Sequence, residues 1–206
     1  MLKRFLSGLI IFTSTITLSV SIFAEANVER GKAKYKVCIA CHGEDGAGKK
    51  INNAPTLSGQ KSWYLARQLH NFKNGIRGTH VKDITGMQMK PMAIHLTTDK
   101  DIDDVVAYIG TLKSQTTHSG IEGNLESGQS SYAVCVSCHG ANGEGNEALN
   151  SPKIAGLPDW YVERQLNNFK SGIRGVYAKD VYGQQMRPMA MTLANDDAVR
   201  NVTAYI

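Results

Sequence analysis

The residues Cys-Ile-Ala-Cys-His at positions 38–42 recur as Cys-Val-Ser-Cys-His at positions 135–139, and both stretches fit the pattern C-x-x-C-H. This pattern is typical of covalent haem attachment, in which two thiols form thioethers with the porphyrin and the histidine binds its iron. The spacing suits that chemistry because residues three and four apart lie on one face of a helical turn. Two copies predict two haem c groups, which would use all four cysteines of the chain.

The expected roles are the same in both copies. Each haem receives two cysteine thioethers and one axial histidine, namely Cys38, Cys41 and His42 in the first copy and Cys135, Cys138 and His139 in the second. Two disulfides or one four-thiolate zinc site would also use four cysteines. Neither alternative requires a histidine after each second cysteine, and the two cysteine pairs lie 94 positions apart. The pattern therefore favours haem.

The first 26 residues are predicted to be a cleavable signal peptide. Lys3 and Arg4 form a basic start, an apolar stretch rich in serine and threonine covers residues 5–23, and A-E-A at 24–26 fits a cleavage site. An uncleaved anchor is the alternative, since the apolar stretch is almost long enough to span a bilayer. Attachment of haem c after export needs a dedicated maturation system, so we expect the mature protein in a bacterial periplasm.

The charge argues against a nucleic-acid partner. The full chain carries a formal net charge of +5. Removal of the predicted signal peptide leaves 21 basic and 17 acidic side chains, and the four propionates of two haems would cancel most of the excess. A broadly cationic surface is therefore not expected.

The haem patterns belong to a longer duplication. Residues 38–109 align with residues 135–206 without a gap, and 21 of the 34 positions in 63–96 are identical to their partners in 160–193. Two copies indicate a duplicated domain rather than a solenoid.

Each half is predicted to be a small all-α domain. The expected boundaries are an N-terminal domain at 27–113, a linker at 114–124 and a C-terminal domain at 125–206. Apolar periodicity predicts three helices per half, at 28–40, 61–73 and 97–112 and again at 126–137, 159–170 and 195–206. About 90 residues are few for a self-sufficient core, so an apolar porphyrin would complete it.

The second axial ligand of each iron decides what that iron can do. An open position would favour oxygen chemistry, a second histidine would give a lower potential, and a methionine thioether gives a higher potential that suits electron transfer. His70, His80 and His95 have no histidine at the matching positions of the other half. Histidine is therefore not a candidate common to both domains.

Two methionine pairs recur in a proline-containing segment that we predict to be a loop before the last helix. Met89 matches Met186, and Met92 matches Met189. Methionine often fills a core without binding anything. Their repetition beside a second haem pattern favours ligation, and the residues alone leave open which pair it is.

These motifs resemble those of class I c-type cytochromes, and the tandem arrangement resembles the dihaem cytochrome c4 family across nearly the whole mature chain. In that family the ligand lies in a pattern M-x-x-x-A-x-x-L, which MKPMAIHL at 89–96 and MRPMAMTL at 186–193 both fit. The resemblance implies that Met89 and Met186 bind iron, rather than the second methionine of each segment.

The resemblance also covers a loop of the pattern P-x-L-x-G. It appears as PTLSG at 55–59 and as PKIAG at 152–156, where isoleucine replaces leucine. In similar proteins the proline carbonyl accepts a hydrogen bond from the axial histidine, so the resemblance implies this role for Pro55 and Pro152. It further implies a pseudo-twofold arrangement of two haem domains, close enough for electrons to pass between them.

Two other repeated pairs have open roles. Trp63 and Trp160 are either propionate hydrogen-bond donors or aromatic core residues. Arg77 and Arg174 are either propionate partners or solvated arginines.

The predicted function is that of a periplasmic electron carrier, monomeric and without catalytic residues. The resemblance implies a quinol-oxidising complex as donor and a terminal oxidase or other reductase as acceptor; peripheral membrane association is left open. The alternative is a dihaem subunit of a periplasmic dehydrogenase, such as a flavocytochrome that oxidises sulfur compounds. A peroxidase with one five-coordinate iron is a third class, which the repeated methionines argue against.

Overall fold

The computed structural model describes residues 25–115 and 120–206, so nearly all of the predicted signal peptide lies outside the described residues. Over these ranges the chain is helical, with two isolated β-bridges and no sheet. The helices of the N-terminal half are α1 Val28–Tyr35, α2 Ile39–His42, α3 Ser62–Lys73, α4 Ile84–Ile94 and α5 Asp99–Thr111. Those of the C-terminal half are α6 Leu125–Tyr132, α7 Val136–His139, α8 Asp159–Lys170, α9 Val181–Met191 and α10 Asp196–Tyr205. Across both described ranges, no helix has the length and apolar character needed to cross a membrane.

The first predicted helix of each half is interrupted before the haem motif, so its prediction as one helix over 28–40 is wrong. Helix α1 ends at Tyr35, whose carbonyl accepts a hydrogen bond from the Cys38 amide at 2.8 Å. A new turn then begins, in which the His42 amide donates to the Cys38 carbonyl at 2.8 Å. The interruption comes just before the motif, and the corresponding break in the other half lies between α6 and α7.

The other predicted helices are confirmed to within two residues at their ends. Thr98 caps α5, because its side chain accepts from the Asp101 amide at 3.1 Å. The Asp101 carboxylate returns the contact by accepting from the Thr98 amide at 3.1 Å. This reciprocal pair is a capping box, which satisfies backbone donors that have no partner within the helix.

The methionine segments are helices α4 and α9 rather than the predicted loops. Asp83 starts α4 by accepting from the Gly86 amide at 3.0 Å, and Asp180 does the same for α9. Proline usually ends a helix because it lacks an N–H group. Pro91 comes late in α4, so the cap and the turns before it are already formed where that one hydrogen bond is missing.

Each half encloses its own apolar core. Helix α1 packs against α5 and α6 against α10, while α3 and α8 contact the methionine helices. The two cores use matching positions, led by Tyr35, Leu65, Leu96, Ile102 and Val105 in the first half and Tyr132, Val162, Leu193, Val199 and Val202 in the second. Both tyrosines are buried.

The contact between terminal helices differs in charge between the halves. The Arg30 guanidinium donates to the buried Asp104 carboxylate at 2.7 Å, and the Asn27 amide donates to the same carboxylate at 2.6 Å. In the second half the matching acceptor is neutral, since Asn201 accepts from the Asn124 amide at 2.8 Å. An ion pair therefore ties α1 to α5, and an uncharged contact ties α6 to α10.

The loop after each haem motif depends on a glycine that approaches the proline segment closely. Gly145 has a φ of 81°, and its amide donates to the His139 carbonyl at 2.7 Å. A Cβ at this position would lie 2.7 Å from the carbonyl carbon of Pro152. Gly156 has a similar φ of 77°, but a Cβ there would meet nothing within 4 Å.

Acid is expected to weaken the α1–α5 contact more than the α6–α10 contact. Hydrogen bonds from Arg30 and the Asn27 amide lower the pKa of Asp104 to about 2. The pKa of an aspartate in the unfolded chain is about 3.9, which is higher. The contacts of the Asp104 carboxylate therefore stabilise the fold fully at a pH above this unfolded pKa, and this stabilisation is lost as the pH falls towards 2. Hydrogen exchange at pH 6 and pH 3, corrected for intrinsic rates, should show α1 losing about fivefold more protection than α6. Equal losses would contradict this. Asp104→Asn should remove only part of the difference, because Lys34 on α1 also lowers the pKa of Asp101 on α5 through an ion pair at 2.8 Å.

Replacement of Gly145 is expected to disturb the proline segment, with Gly156→Ala as the matched control. Both alanines would carry the cost of a left-handed backbone, about 1–2 kcal/mol. Gly145→Ala should cost about 1–3 kcal/mol more in the free energy of unfolding, because the Pro152 backbone must move. Guanidinium unfolding of the two variants measures the difference, and identical midpoints would show that the Pro152 backbone does not resist the added methyl group.

Candidate haem sites

A buried histidine follows the second cysteine of each motif and is held by a proline carbonyl. The Nδ1 atom of His42 donates to the Pro55 carbonyl at 2.9 Å, and that of His139 donates to the Pro152 carbonyl at 2.8 Å. Both side chains are over nine-tenths buried. Because Nδ1 must carry the proton in this contact, Nε2 keeps its lone pair for a metal.

Burial also favours the neutral form of both imidazoles. It lowers the pKa of His42 and of His139, although the hydrogen bond to each proline carbonyl acts in the opposite direction. A metal ligand must be the unprotonated imidazole. The sites are therefore prepared for an axial ligand at neutral pH.

The cysteines are arranged for attachment to a group beside each histidine. All four are free thiols, with Cys38 and Cys135 half-buried and Cys41 and Cys138 exposed. Burial, with a smaller contribution from Cys41, raises the pKa of Cys38 to about 11. Within residues 25–115 and 120–206, no group of three or more His, Cys, Asp or Glu side chains is arranged to hold a metal ion.

The methionine helices offer one half-buried and one exposed candidate in each domain. Met89 on α4 and Met186 on α9 are half-buried, and Met186 packs against the core of its domain. Met92 and Met189 are 37% and 43% exposed.

Arg77 and Arg174 are buried at the boundary between the domains, so the solvated alternative is wrong. Their guanidinium groups pack on Phe72 and Phe169 at 4.4 and 4.3 Å from the ring centres. The Arg174 Nη1 atom donates to Gln165 at 2.7 Å. Both Nε atoms are buried and lack a hydrogen-bond partner among the described residues. Unpaired guanidinium donors suit a carboxylate ligand such as a propionate.

The two arginines also line a common cavity. It has a volume of about 220 Å³ and is bounded by equivalent segments of both domains, including the residues that follow each arginine. Burial lowers the pKa of Arg174, and the nearby Arg77 charge acts in the same direction. The buried Asp83 and Asp180 line the same cavity, and the Asp180 carboxylate acts in the opposite direction on the pKa of Arg174.

Trp63 and Trp160 each support an arginine that the sequence analysis did not single out. The guanidinium carbon of Arg67 lies 5.0 Å from the Trp63 ring centre, and that of Arg164 lies 4.9 Å from the Trp160 ring centre. Both arginines reach the other domain. Their repetition at matching positions was the one signal in the sequence that would have identified them.

These residues fit covalently held haem. Each domain holds two free thiols beside a buried histidine with Nε2 available, and its methionine helix carries a half-buried thioether. The interface holds unpaired guanidinium donors. The predicted residues Cys38, Cys41, His42 and Pro55 are adjacent through bonds or hydrogen bonds, as are their counterparts in the second half.

Comparison with known proteins extends over both halves. The cytochrome c family model matches residues 28–113 and 125–206. Cytochrome c4 of Azotobacter vinelandii is 31% identical over 212 residues, which cover 94% of this chain and 95% of that protein. The crystal structure of reduced recombinant cytochrome c4 from Pseudomonas stutzeri matches with a TM-score of 0.69 and 28% identity, covering 88% of this chain and 97% of the other.

A thiosulfate dehydrogenase is also similar. The structure of that enzyme from Marichromatium purpuratum matches with a TM-score of 0.68 and 26% identity. The match covers 86% of this chain and 39% of that chain, so it concerns only a part of the larger protein. The matches to cytochromes c4, by contrast, span nearly the full length of both partners, and the two C-x-x-C-H motifs supply the attachment chemistry. The chain therefore belongs to the cytochrome c family and, within it, to the dihaem cytochromes c4, which are electron carriers with two covalently bound haem c groups.

Proposed function

We propose that this protein carries single electrons in the periplasm through two haems, each ligated by one histidine and one methionine. The observation that carries the proposal is the paired geometry of the axial histidines, whose Nδ1 atoms are engaged by the carbonyls of Pro55 and Pro152. A ligand held in one tautomer and one orientation changes little when the iron changes charge.

The bound haem supplies the ferric–ferrous couple, and the chain supplies attachment, ligands and surroundings. The thioether bonds come from Cys38 and Cys41 in the first domain and from Cys135 and Cys138 in the second. His42 and His139 provide the proximal nitrogen ligands. With one histidine and one methionine held against each iron, the site would exchange electrons without binding a substrate.

Met89 and Met186 are the proposed distal ligands. Their half-burial suits side chains that face the interior of a haem site, whereas Met92 and Met189 are more exposed. A thioether is a soft ligand that favours ferrous iron and raises the potential.

The proposed unit is a monomer of two domains, with the boundaries 27–113 and 125–206 and a linker at 114–124. Its partners are redox proteins. We propose a quinol-oxidising complex as donor and a terminal oxidase or other reductase as acceptor. Export depends on the signal peptide at 1–26, which lies almost entirely outside the described residues.

A second function is supported by the likeness to thiosulfate dehydrogenase. In that case the chain would be the dihaem subunit of a periplasmic dehydrogenase that oxidises sulfur compounds. Affinity purification from the native periplasm distinguishes the two functions. If a flavoprotein or dehydrogenase stays bound to the chain in equimolar amount after a salt wash, the result favours the subunit function. If the chain is recovered as a free two-haem protein, the result supports the function of an electron carrier.

A spectroscopic redox titration tests the carrier function in the purified holoprotein. We expect two haems per chain, low-spin spectra and a sulfur-to-iron charge-transfer band for both ferric sites. Each iron should take up one electron, and peroxide should not be turned over. High-spin iron or rapid peroxide consumption would contradict the proposal in favour of a peroxidase.

Exchange of one distal ligand should affect one haem only. In Met186→His the thioether bonds through Cys135 and Cys138 remain, so the haem should stay attached. Because imidazole favours ferric iron more than a thioether does, one of the two midpoint potentials should fall while the other stays. Met189→Leu is the control and should change neither. An unchanged midpoint in Met186→His would transfer the ligand assignment to Met189.

A further inference from the structure

Arg67 reaches from the N-terminal domain into the segment that precedes Pro152. Its Nη1 atom donates to the side-chain oxygen of Asn150 at 3.0 Å, and its Nη2 atom donates to the Asn150 carbonyl at 2.9 Å. Asn150 has a left-handed backbone with a φ of 55° and lies two residues before Pro152. The arginine therefore binds the loop whose carbonyl orients His139.

The same guanidinium also contacts helix α9, which carries Met186. Its carbon lies 4.4 Å from the ring centre of Tyr182, which is on helix α9. Tyr182 precedes Met186 by four residues, so both lie on one face of the helix. Trp63 covers the guanidinium from its own domain at 5.0 Å. Arg67 thus joins the two segments that would carry the axial ligands of the C-terminal haem.

The equivalent arginine makes only part of this set of contacts. Arg164 donates to the side-chain oxygen of Asn53, two residues before Pro55, at 2.5 Å. It also packs on its own Trp160. The position that matches Tyr182 is Thr85, which has no ring on which a guanidinium could stack. Each arginine therefore donates to the asparagine that lies two residues before the proline of the other domain. Among the described residues, only Arg67 also stacks on an aromatic ring of the other domain's methionine helix.

Two properties of the guanidinium group make these contacts hard to reproduce with another side chain. The two Nη atoms of the planar guanidinium each donate to one asparagine, and the cation lies over aromatic rings. Burial lowers the pKa of Arg67, yet a guanidinium stays charged at neutral pH. A lysine would keep the charge without the two-pronged geometry.

We propose that Arg67 is a positioning residue for the C-terminal haem, holding its proximal loop and its distal helix together from the neighbouring domain. This inference rests on the proposed histidine–methionine ligation. It follows that domain docking tunes the C-terminal haem more than the N-terminal one, and that the two potentials differ partly because Tyr182 has no counterpart.

The test uses the full-length holoprotein with Arg67→Leu and, as matched control, Arg164→Leu. The readouts are the two midpoint potentials and the proton resonances of the two methionine methyl groups. Met186→His assigns these signals, because it removes one set. Arg67→Leu should shift the potential and the methyl resonance of the C-terminal haem, changing the equilibrium constant for electron exchange between the haems at least about threefold. Arg164→Leu should leave the C-terminal signals in place.

Three further variants separate positioning from general loosening. Arg67→Lys should not restore the wild-type signals, since lysine cannot engage both acceptor atoms of Asn150. Tyr182→Thr should shift the same signals less than Arg67→Leu, because the Asn150 contact remains. Tyr182→Phe should retain the wild-type values, since the ring is kept.

Separate results would overturn the two proposals. If Arg67→Leu shifted the signals of both haems equally, the arginines would only hold the domains together. The same would follow if Arg164→Leu shifted the C-terminal haem signals as much as Arg67→Leu does. Unchanged signals in Arg67→Leu would remove any positioning role. Absence of the sulfur-to-iron band in the wild-type protein would instead reject the ligation under the proposed function, whatever the variants show.

Discussion

The hydrogen bond from a buried imidazole to a proline carbonyl is the constraint on which each haem site depends. It places the proton of His42 on Nδ1 and leaves Nε2 for iron. The Pro55 carbonyl can accept this bond because the chain turns back after the motif at Gly48, which has a positive φ and whose amide donates to the His42 carbonyl. The buried Tyr35 secures the same turn, since its hydroxyl donates to the Gly43 carbonyl at 2.9 Å. Helix packing and loop geometry therefore both support the hydrogen bond between His42 and Pro55 that leaves Nε2 free for iron.

Duplication produced two sites with one plan and different surroundings. The core positions match, as do the histidine–proline contacts, but the terminal helices are joined by an Arg30–Asp104 ion pair in one domain and by neutral groups in the other. At the interface, Arg67 meets an aromatic ring of the second domain, whereas the position equivalent to that ring is a threonine in the first. Two chemically similar haems are thereby placed in unequal environments, which is a physical basis for unequal potentials.

The local features were predictable from sequence because neighbouring residues determine them. Apolar periodicity predicted a helix at 61–73, and the structure has α3 at Ser62–Lys73. The prediction failed where one local signal was outweighed by another. Pro91 suggested a loop, but the Asp83 cap and several residues ahead of the proline were enough to form α4. The first helix was predicted to be continuous, because apolar spacing does not report a turn three residues long.

The attachment chemistry follows from local spacing alone, since two cysteines and a histidine within five residues must face one haem whatever the rest of the chain does. The sequence also identified the duplication and, through family resemblance, the segments that carry the second ligands. The burial of Arg77 and Arg174 with unpaired donors, and the contact of Arg67 with Asn150, depend on the folded chain. The Arg67–Asn150 contact joins residues 83 positions apart, where side-chain partners depend on how two domains pack and not on any spacing along the chain.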